Sequence, residues 1–271
     1  MRKLQINIIG LGKVGQTLAK LFAENPHTTL LGIVAKNLAQ GQSAHDFIGD
    51  GEIYTEINAM PAADLIFITT NDANISTVAK QLSKSPRLRS GSVVVHCSGA
   101  LGEDILHCLV ERGCHVASVH PMHSFIIPEL SAKNFLGTYC AVSGTSSAVA
   151  MVYKVMSWIG AKTFAVDPKR KALYHSGGVF AANYLLTLAA SALQCFSGAK
   201  INDDNALGIV ISLMQSTLNN LQQLQSPQQA LTGPLRRGDH ATVAAHLQAL
   251  PTAVERELYE VLAARTKELL L

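Results

Sequence analysis

Hydrophobic and polar positions follow two different rhythms along this chain. Up to residue 167 short apolar runs recur: Gln5–Ile9, Leu30–Ala35, Leu65–Thr69, Ser92–His96, His115–Val119, Thr138–Val142 and Lys162–Val166. Runs this short and this continuously apolar predict strands buried on both faces. Amphipathic stretches lie between most of them. Val14, Leu18, Leu21 and Phe22 fall at i, i+4, i+7 and i+8, one face of a helix, and Ile105, Leu106 and Leu109 mark another. Strands alternating with helices predict parallel βαβ units with right-handed crossovers, so the expected fold is α/β with a doubly wound, mostly parallel sheet.

Beyond Asp167-Pro168 the strand pattern stops. Long helices are expected over about Lys169–Phe196, Asp203–Leu224, His240–Leu250 and Thr252–Leu270. Pro168 has no N–H with which to continue a preceding element, and Asp167 suits the cap of a following helix. The expected division is therefore an α/β domain over residues 1–167 and an all-α domain over 168–271. From Ser176 to Ala199 no side chain is charged, a stretch long enough to span a bilayer. Asn183, Thr187 and Ser191 recur every four residues as a polar stripe, and no aromatic girdle marks both ends. The reading is a buried central helix of a helical domain in preference to a membrane span.

Composition narrows the function classes. A 271-residue chain with 48% hydrophobic and 15% charged residues buries a core without staples and is not a disordered polymer. Lys+Arg 22 against Asp+Glu 19, a net charge of +3, is too balanced for binding nucleic acid by bulk charge. Cys97, Cys108, Cys114, Cys140 and Cys195 form no CxxC pair and read as reduced thiols. Polar residues interrupt the first apolar run at Asn7, Gly10 and Lys13, so no signal peptide is expected and the location reads as cytoplasmic.

The strongest motif follows the first strand. Gly10-Leu11-Gly12-Lys13-Val14-Gly15 stands between strand Gln5–Ile9 and a helix, the context in which a GxGxxG turn grips a dinucleotide. Gly10 makes the tight turn, Gly12 lets a pyrophosphate approach the backbone, and Gly15 lets the helix pack on the strand. The helix N-terminus supplies free N–H groups. About 20 residues on, where an NAD enzyme carries an acid, the chain reads Ala35-Lys36-Asn37. A carboxylate there repels a 2′-phosphate and a lysine attracts it, so NADP is expected ahead of NAD.

Loops at the ends of later strands carry the remaining candidates. Thr70 and Asn71 can touch ribose and nicotinamide or cap the next helix. In His96-Cys97-Ser98-Gly99-Ala100, Ser98 can bond a substrate oxygen or start a helix. Val119-His120-Pro121-Met122-His123-Ser124-Phe125 offers two imidazoles suited to giving a proton to a forming alkoxide or amine; His120 fixed within a Pro turn is the plain alternative. Tyr174-His175-Ser176-Gly177-Gly178 opens the long helix, and Asn183 lies eight residues after His175, near enough in angle to face one cleft. The histidines His120, His123 and His175 lack zinc spacing, so no metal is expected. Arg236 and Arg237, in a Gly-Pro-Leu-Arg-Arg-Gly-Asp loop, can clamp a carboxylate or phosphate.

These blocks, HCSGA, VHPMHSF, YHSGGVFAANYL and ALTGPLRRGDHATVAAHLQAL after an N-terminal GLGKVG, resemble bacterial Rossmann-like proteins with a C-terminal domain of unknown function. That group is related to pyrroline-5-carboxylate reductase and the deazaflavin-dependent NADP oxidoreductases. The resemblance implies a Rossmann domain followed by an all-helical domain like that of 6-phosphogluconate dehydrogenase, often dimerising through it. The HPM triplet is also similar to one in prephenate dehydrogenases. Hydroxyacid dehydrogenases of this architecture place a catalytic lysine one turn before a helix asparagine; aligning that asparagine to Asn183 puts Val179 at the lysine's place. The expected function is an NADP-dependent oxidoreductase acting on a small carbonyl, hydroxy acid or imine. Here one of His120, His123 and His175 moves the proton, Ser98 and Asn183 orient the substrate, and Arg236 or Arg237 holds an anionic tail. A non-catalytic NADP-binding sensor or scaffold is the alternative. The expected partners are a small-molecule substrate and a second copy of the chain, with no nucleic acid and no membrane.

Overall fold

A computed structural model describes residues 2–270. Eight strands form one sheet: β1 (Leu4–Ile9), β2 (Thr28–Val34), β3 (Glu52–Tyr54), β4 (Leu65–Ile68), β5 (Val93–His96), β6 (His115–Pro121), β7 (Tyr139–Gly144) and β8 (Lys162–Ala165). Their spatial order is β3-β2-β1-β4-β5-β6-β7-β8. The order reverses between β1 and β4, the switch point at which open α/β sheets bind ligands. All pairings are parallel except that of β6 with β7. The sheet is thus doubly wound and mostly parallel, as the apolar runs predict.

Helices α1 (Lys13–Ala23), α2 (Leu38–Ile48), α3 (Asp72–Ser83), α4 (His107–Val110), α5 (Pro128–Lys133) and α6 (Ser146–Trp158) connect the strands. The period-two alternation of each strand feeds two cores. Ile6, Ile8, Leu65, Phe67, Val93 and Val95 pack with Leu18 and Phe22 of α1 and Val152 and Met156 of α6. Ile66, Ile68 and Val94 pack with Ile75, Val78 and Leu82 of α3. Neither side of the central strands meets water, which explains their unbroken apolar character.

The chain divides into two compact units after Val179. The first ends with α7 (Lys171–Gly178), and a single π-helical turn over Val179–Asn183 leads into α8 (Tyr184–Gly198). The second unit holds α8, α9 (Asp203–Leu224), α10 (Pro227–Ala230), α11 (Pro234–Arg237), α12 (His240–Ala249) and α13 (Ala253–Glu268), with no strand among the described residues. The helix Pro168–Gly198 is the one described helix long and apolar enough to cross a membrane.

The expectation that this helix is buried at the centre of a helical domain is not met: none of its residues from 172 to 198 is buried. The physical reason is lack of cover. The second unit contributes two buried apolar residues among those described, Ala206 and Val210, too few to enclose a helix that is apolar around most of its circumference.

Candidate active site

The turn after β1 is built to leave an opening. Gly10 has φ +101, and a methyl group on it would sit 2.8 Å from Thr70 Cγ2 and 3.0 Å from Thr70 N. A methyl group on Gly15 would lie 2.0 Å from the Gly10 carbonyl oxygen. Only glycines let this turn close against the end of β4, where the Thr69 hydroxyl donates to Gly10 O at 2.6 Å. Helix α1 begins at an extended Gly12 with no side-chain cap and no acid in its first turn. Its first-turn N–H groups therefore lack a side-chain acceptor and leave the positive end of the helix dipole to a ligand.

Beside this turn lies a cleft of about 840 Å³ whose lining includes Gly10, Gly12, Lys36, Glu56, Thr70 and Asn71. The Thr70 hydroxyl is buried there with no hydrogen-bond partner among the described residues. An orphaned hydroxyl, an uncapped helix and a glycine cradle in one cleft fit a dinucleotide's phosphates and ribose. Leu11 is buried, whereas Lys13 and Lys36 are exposed. Glu56, which lines the same cleft as Lys36, is an acid that the 20-residue spacing rule does not reveal.

Farther along the sheet, three candidates come together. His120, at the end of β6, meets Tyr174 Oη through Nδ1 at 2.9 Å, and its ring lies 5.4 Å from that of His175, edge to face. Both imidazoles crowd Gly99: a methyl group there would be 2.7 Å from His175 Nδ1 and 2.8 Å from His120 Nε2. His175 Nδ1 is buried and unpartnered among the described residues. Burial, with His175 and Lys171 nearby, lowers the His120 pKa to about 4, so the ring is neutral at pH 7. Burial raises Tyr174 to about 12.

Ser98 is placed beneath this pair, with its bonding capacity used. Its hydroxyl donates to Asp72 Oδ2 at 2.7 Å and accepts from the N–H groups of Ala100 and Leu101. His123 packs elsewhere, edge-on to Phe125 at 5.0 Å and beside Thr138. Asn183, Arg236 and Arg237 belong to the second unit. Asn183 is exposed in the π-helical turn, and Arg236 Nη1 donates to the carbonyls of Gln228, Gln229 and Leu231, bracing its own loop. Arg237 is exposed. No group of three or more metal-ligating side chains occurs among the described residues.

One residue of the site escapes a linear reading. Lys171 is fully buried, donating to Ser98 O and Ser118 Oγ at 2.8 Å each. In sequence it is the third of Lys169-Arg170-Lys171, which reads as a solvated helix start. Burial lowers its pKa to about 8, opposed by Glu103, Cys97, Asp72 and Asp104.

Comparison with known proteins agrees with this fold. Residues 1–121 match the Rossmann-like domain family, and residues 138–266 match DUF2520, a domain of unknown function. It is similar to a Bacteroides fragilis structure described as an NADP oxidoreductase, with 19% identity and a TM-score of 0.78 over 98% of both chains. It is also similar to a Thermotoga maritima protein (23% identity, TM-score 0.75, 98% of both chains). A third similar structure is the imine reductase of Myxococcus stipitatus in complex with NADP+ (16% identity, TM-score 0.68, 97% of this chain and 92% of the other). At these identities the likeness is one of fold. No curated protein matches the chain in sequence.

Proposed function

We propose that this Rossmann-like–DUF2520 chain is an NADP-dependent oxidoreductase that moves a hydride between the nicotinamide and a small carbonyl, hydroxy acid or imine. The observation that carries the reading is the uncapped glycine cradle with its orphaned Thr70 hydroxyl, on the same carboxyl edge of the sheet as a half-buried His120–Tyr174–His175 cluster in which burial keeps His120 neutral. The M. stipitatus imine reductase with NADP+ and the Aquifex aeolicus prephenate dehydrogenase with NAD+ lend this reading support from fold.

The backbone from Gly10 to Val14 would hold the pyrophosphate, Thr70 and Asn71 the nicotinamide-side ribose, and Lys36 a 2′-phosphate. The bound cofactor supplies the hydride or accepts it. Protein groups then manage the proton and the geometry. With Tyr174 donating to Nδ1, the His120 ring proton sits on Nε2, the nitrogen beside Gly99. There it can donate a hydrogen bond to a substrate oxygen or nitrogen, and passing that proton on is balanced by Nδ1 taking the phenol proton of Tyr174. Ser98, with its hydroxyl committed, acts on the loop shape, while Asn183 and Arg237, in the second unit, are exposed. A second reading, NADP binding without turnover, draws on the valine that stands at position 179. We also propose that the chain works as a homodimer through its helical unit, in the cytoplasm.

Melting temperatures with NADPH and NADH, for the native chain and Lys36→Asp, test the cofactor. A ligand that binds the native state raises its apparent stability. NADPH is expected to raise the native melting point more than NADH does, and Lys36→Asp to reverse the order. No shift with either nucleotide overturns the reading. NADPH consumption across keto acids and cyclic imines separates turnover from mere binding.

A further inference from the structure

We propose that Lys171 is the positioning residue of the histidine site, gripping the Ser98 carbonyl and so fixing Gly99, Tyr174 and His175 around His120. The side chain is fully buried, the only lysine, arginine, aspartate or glutamate so placed among the described residues. Two arrangements make it an anchor.

The first is helical phase. Lys171, Tyr174 and His175 stand at i, i+3 and i+4 on α7, so they share one face. Tethering Lys171 at 2.8 Å to Ser98 O and at 2.8 Å to Ser118 Oγ sets the rotation and height of the helix that presents the other two. The second is a hydrogen-bond chain whose direction is forced. An ammonium can only donate, so Ser118 Oγ accepts from Lys171 and passes its single proton toward Ser143 Oγ, 3.0 Å away. Ser143 Oγ then donates to Glu103 Oε2 at 2.6 Å, and the carboxylate accepts. Cation and carboxylate are thus joined through two serines across β6 and β7.

The Ser98 loop is held at other points too. Ser98 Oγ donates to Asp72, and Ser98 N–H donates to His96 Nδ1, whose other nitrogen meets Gly102 O at 3.0 Å. Among the described residues Lys171 alone holds the carbonyl that immediately precedes Gly99. With both imidazoles within 3 Å of where a Gly99 methyl would be, a small rotation of that peptide moves the backbone onto or off them.

The catalytic part of this inference rests on the oxidoreductase reading, so the test carries a readout independent of turnover. Lys171→Met keeps the side chain's length and removes its donors; Ser143→Ala breaks the chain while leaving Lys171 in place. Nitrogen-15 NMR of imidazole, with His120 assigned from a His120→Asn variant, reports tautomer and titration. In the native protein His120 stays neutral with one fixed tautomer at pH 6. In Lys171→Met the tautomer averages and the His120 titration moves up from about 4 toward the ordinary 6.5, because the nearby cation is gone and the ring gains water. His175, Lys171 and Asp72 are the titratable groups that act on His120, and His175 and Asp72 persist in the variant. Ser143→Ala is expected to shift it in the same direction by less.

With a turned-over substrate, kcat in Lys171→Met falls on the order of 10²-fold, the cost of roughly 1 Å of misplacement, while the NADPH dissociation constant holds. An unchanged His120 spectrum in both variants, or a loss of NADPH affinity equal to the loss in kcat, overturns the assignment of Lys171. Native protein that binds NADPH and turns over nothing overturns the catalytic reading, and the His120 spectra still decide whether Lys171 positions the ring.

Discussion

A methyl group at Gly99 and one at Gly15 meet different obstacles, and the difference predicts different phenotypes. At Gly99 the nearest atoms are the ring nitrogens of His175 and His120, side chains that can rotate away. Gly99→Ala should therefore leave the melting point within a few degrees of native and abolish most turnover, because the imidazoles yield. At Gly15 the obstacle is the Gly10 carbonyl, backbone of the cradle itself, 2.0 Å away. Gly15→Ala should cost about 1–3 kcal/mol of stability, the usual range for overpacking, and with it NADPH affinity. Denaturant melts beside cofactor titrations distinguish the two patterns. His96 makes a third prediction. It is fully buried with both ring nitrogens engaged, and burial, then the Lys171 charge, lowers its pKa to about 4. An unfolded histidine titrates near 6.5, so between these values the unfolded chain binds the extra proton and stability falls as pH drops. The loss from this one group is on the order of 3 kcal/mol by about pH 4. His120 adds to it with the same sign. Urea midpoints at pH 7 and 4.5 measure it, and a variant His96→Gln should flatten the difference.

Elements differ in how plainly the chain announces them. The central strands are legible because both faces are buried, which leaves no polar position to blur the pattern. The glycine cradle is legible because its spacing follows from steric need. Asn202 caps α9, its side chain accepting from Asn205 N at 2.9 Å. Asn202→Ala should accordingly cost about 1 kcal/mol in urea unfolding. Strand β3 is not legible: three residues, Glu52 to Tyr54, alternate too briefly to register. Nor is the antiparallel sense of β7, since a period of two fixes a strand but not its direction. Within the site, His120 and His123 look equivalent in sequence. Strand β6 runs on through Pro121, however, and carries His120 to the Tyr174 side while His123 falls beyond the strand among Phe125 and Thr138. Lys171 is invisible for a different reason. A lysine's burial depends on acceptors 53 and 73 residues away in the chain, which no local pattern encodes.

At the scale of the whole molecule the second unit sets the remaining problem, since its apolar side chains form exposed stripes. On α9, Leu207, Ile211 and Leu218 lie at i, i+4 and i+11 and are 51%, 60% and 46% exposed. Val254 and Val261, seven apart on α13, are 70% and 57% exposed, and Phe180 and Tyr184 repeat the pattern one turn apart. Soluble monomers rarely leave patches of this kind uncovered beyond a few hundred Å². The homodimer proposed above would cover them, because joined helical units would bury the stripes that one copy leaves in water. A stable interface of this sort covers about 1,200–2,000 Å² in total. Sedimentation velocity should give a dimer, and the melting point should rise with protein concentration, as linkage requires of a fold completed by association. Ile211→Asp places a charge in the middle of the α9 stripe and should yield a monomer that melts lower. The helix Pro168–Gly198, which carries Phe180 and Tyr184, passes the length test for a membrane span, so the fraction the protein partitions into is decisive. Dimeric protein recovered without detergent means that the stripes face protein. Monomeric protein recovered with lipid means that Pro168–Gly198 faces hydrocarbon instead, and the dimer proposal falls.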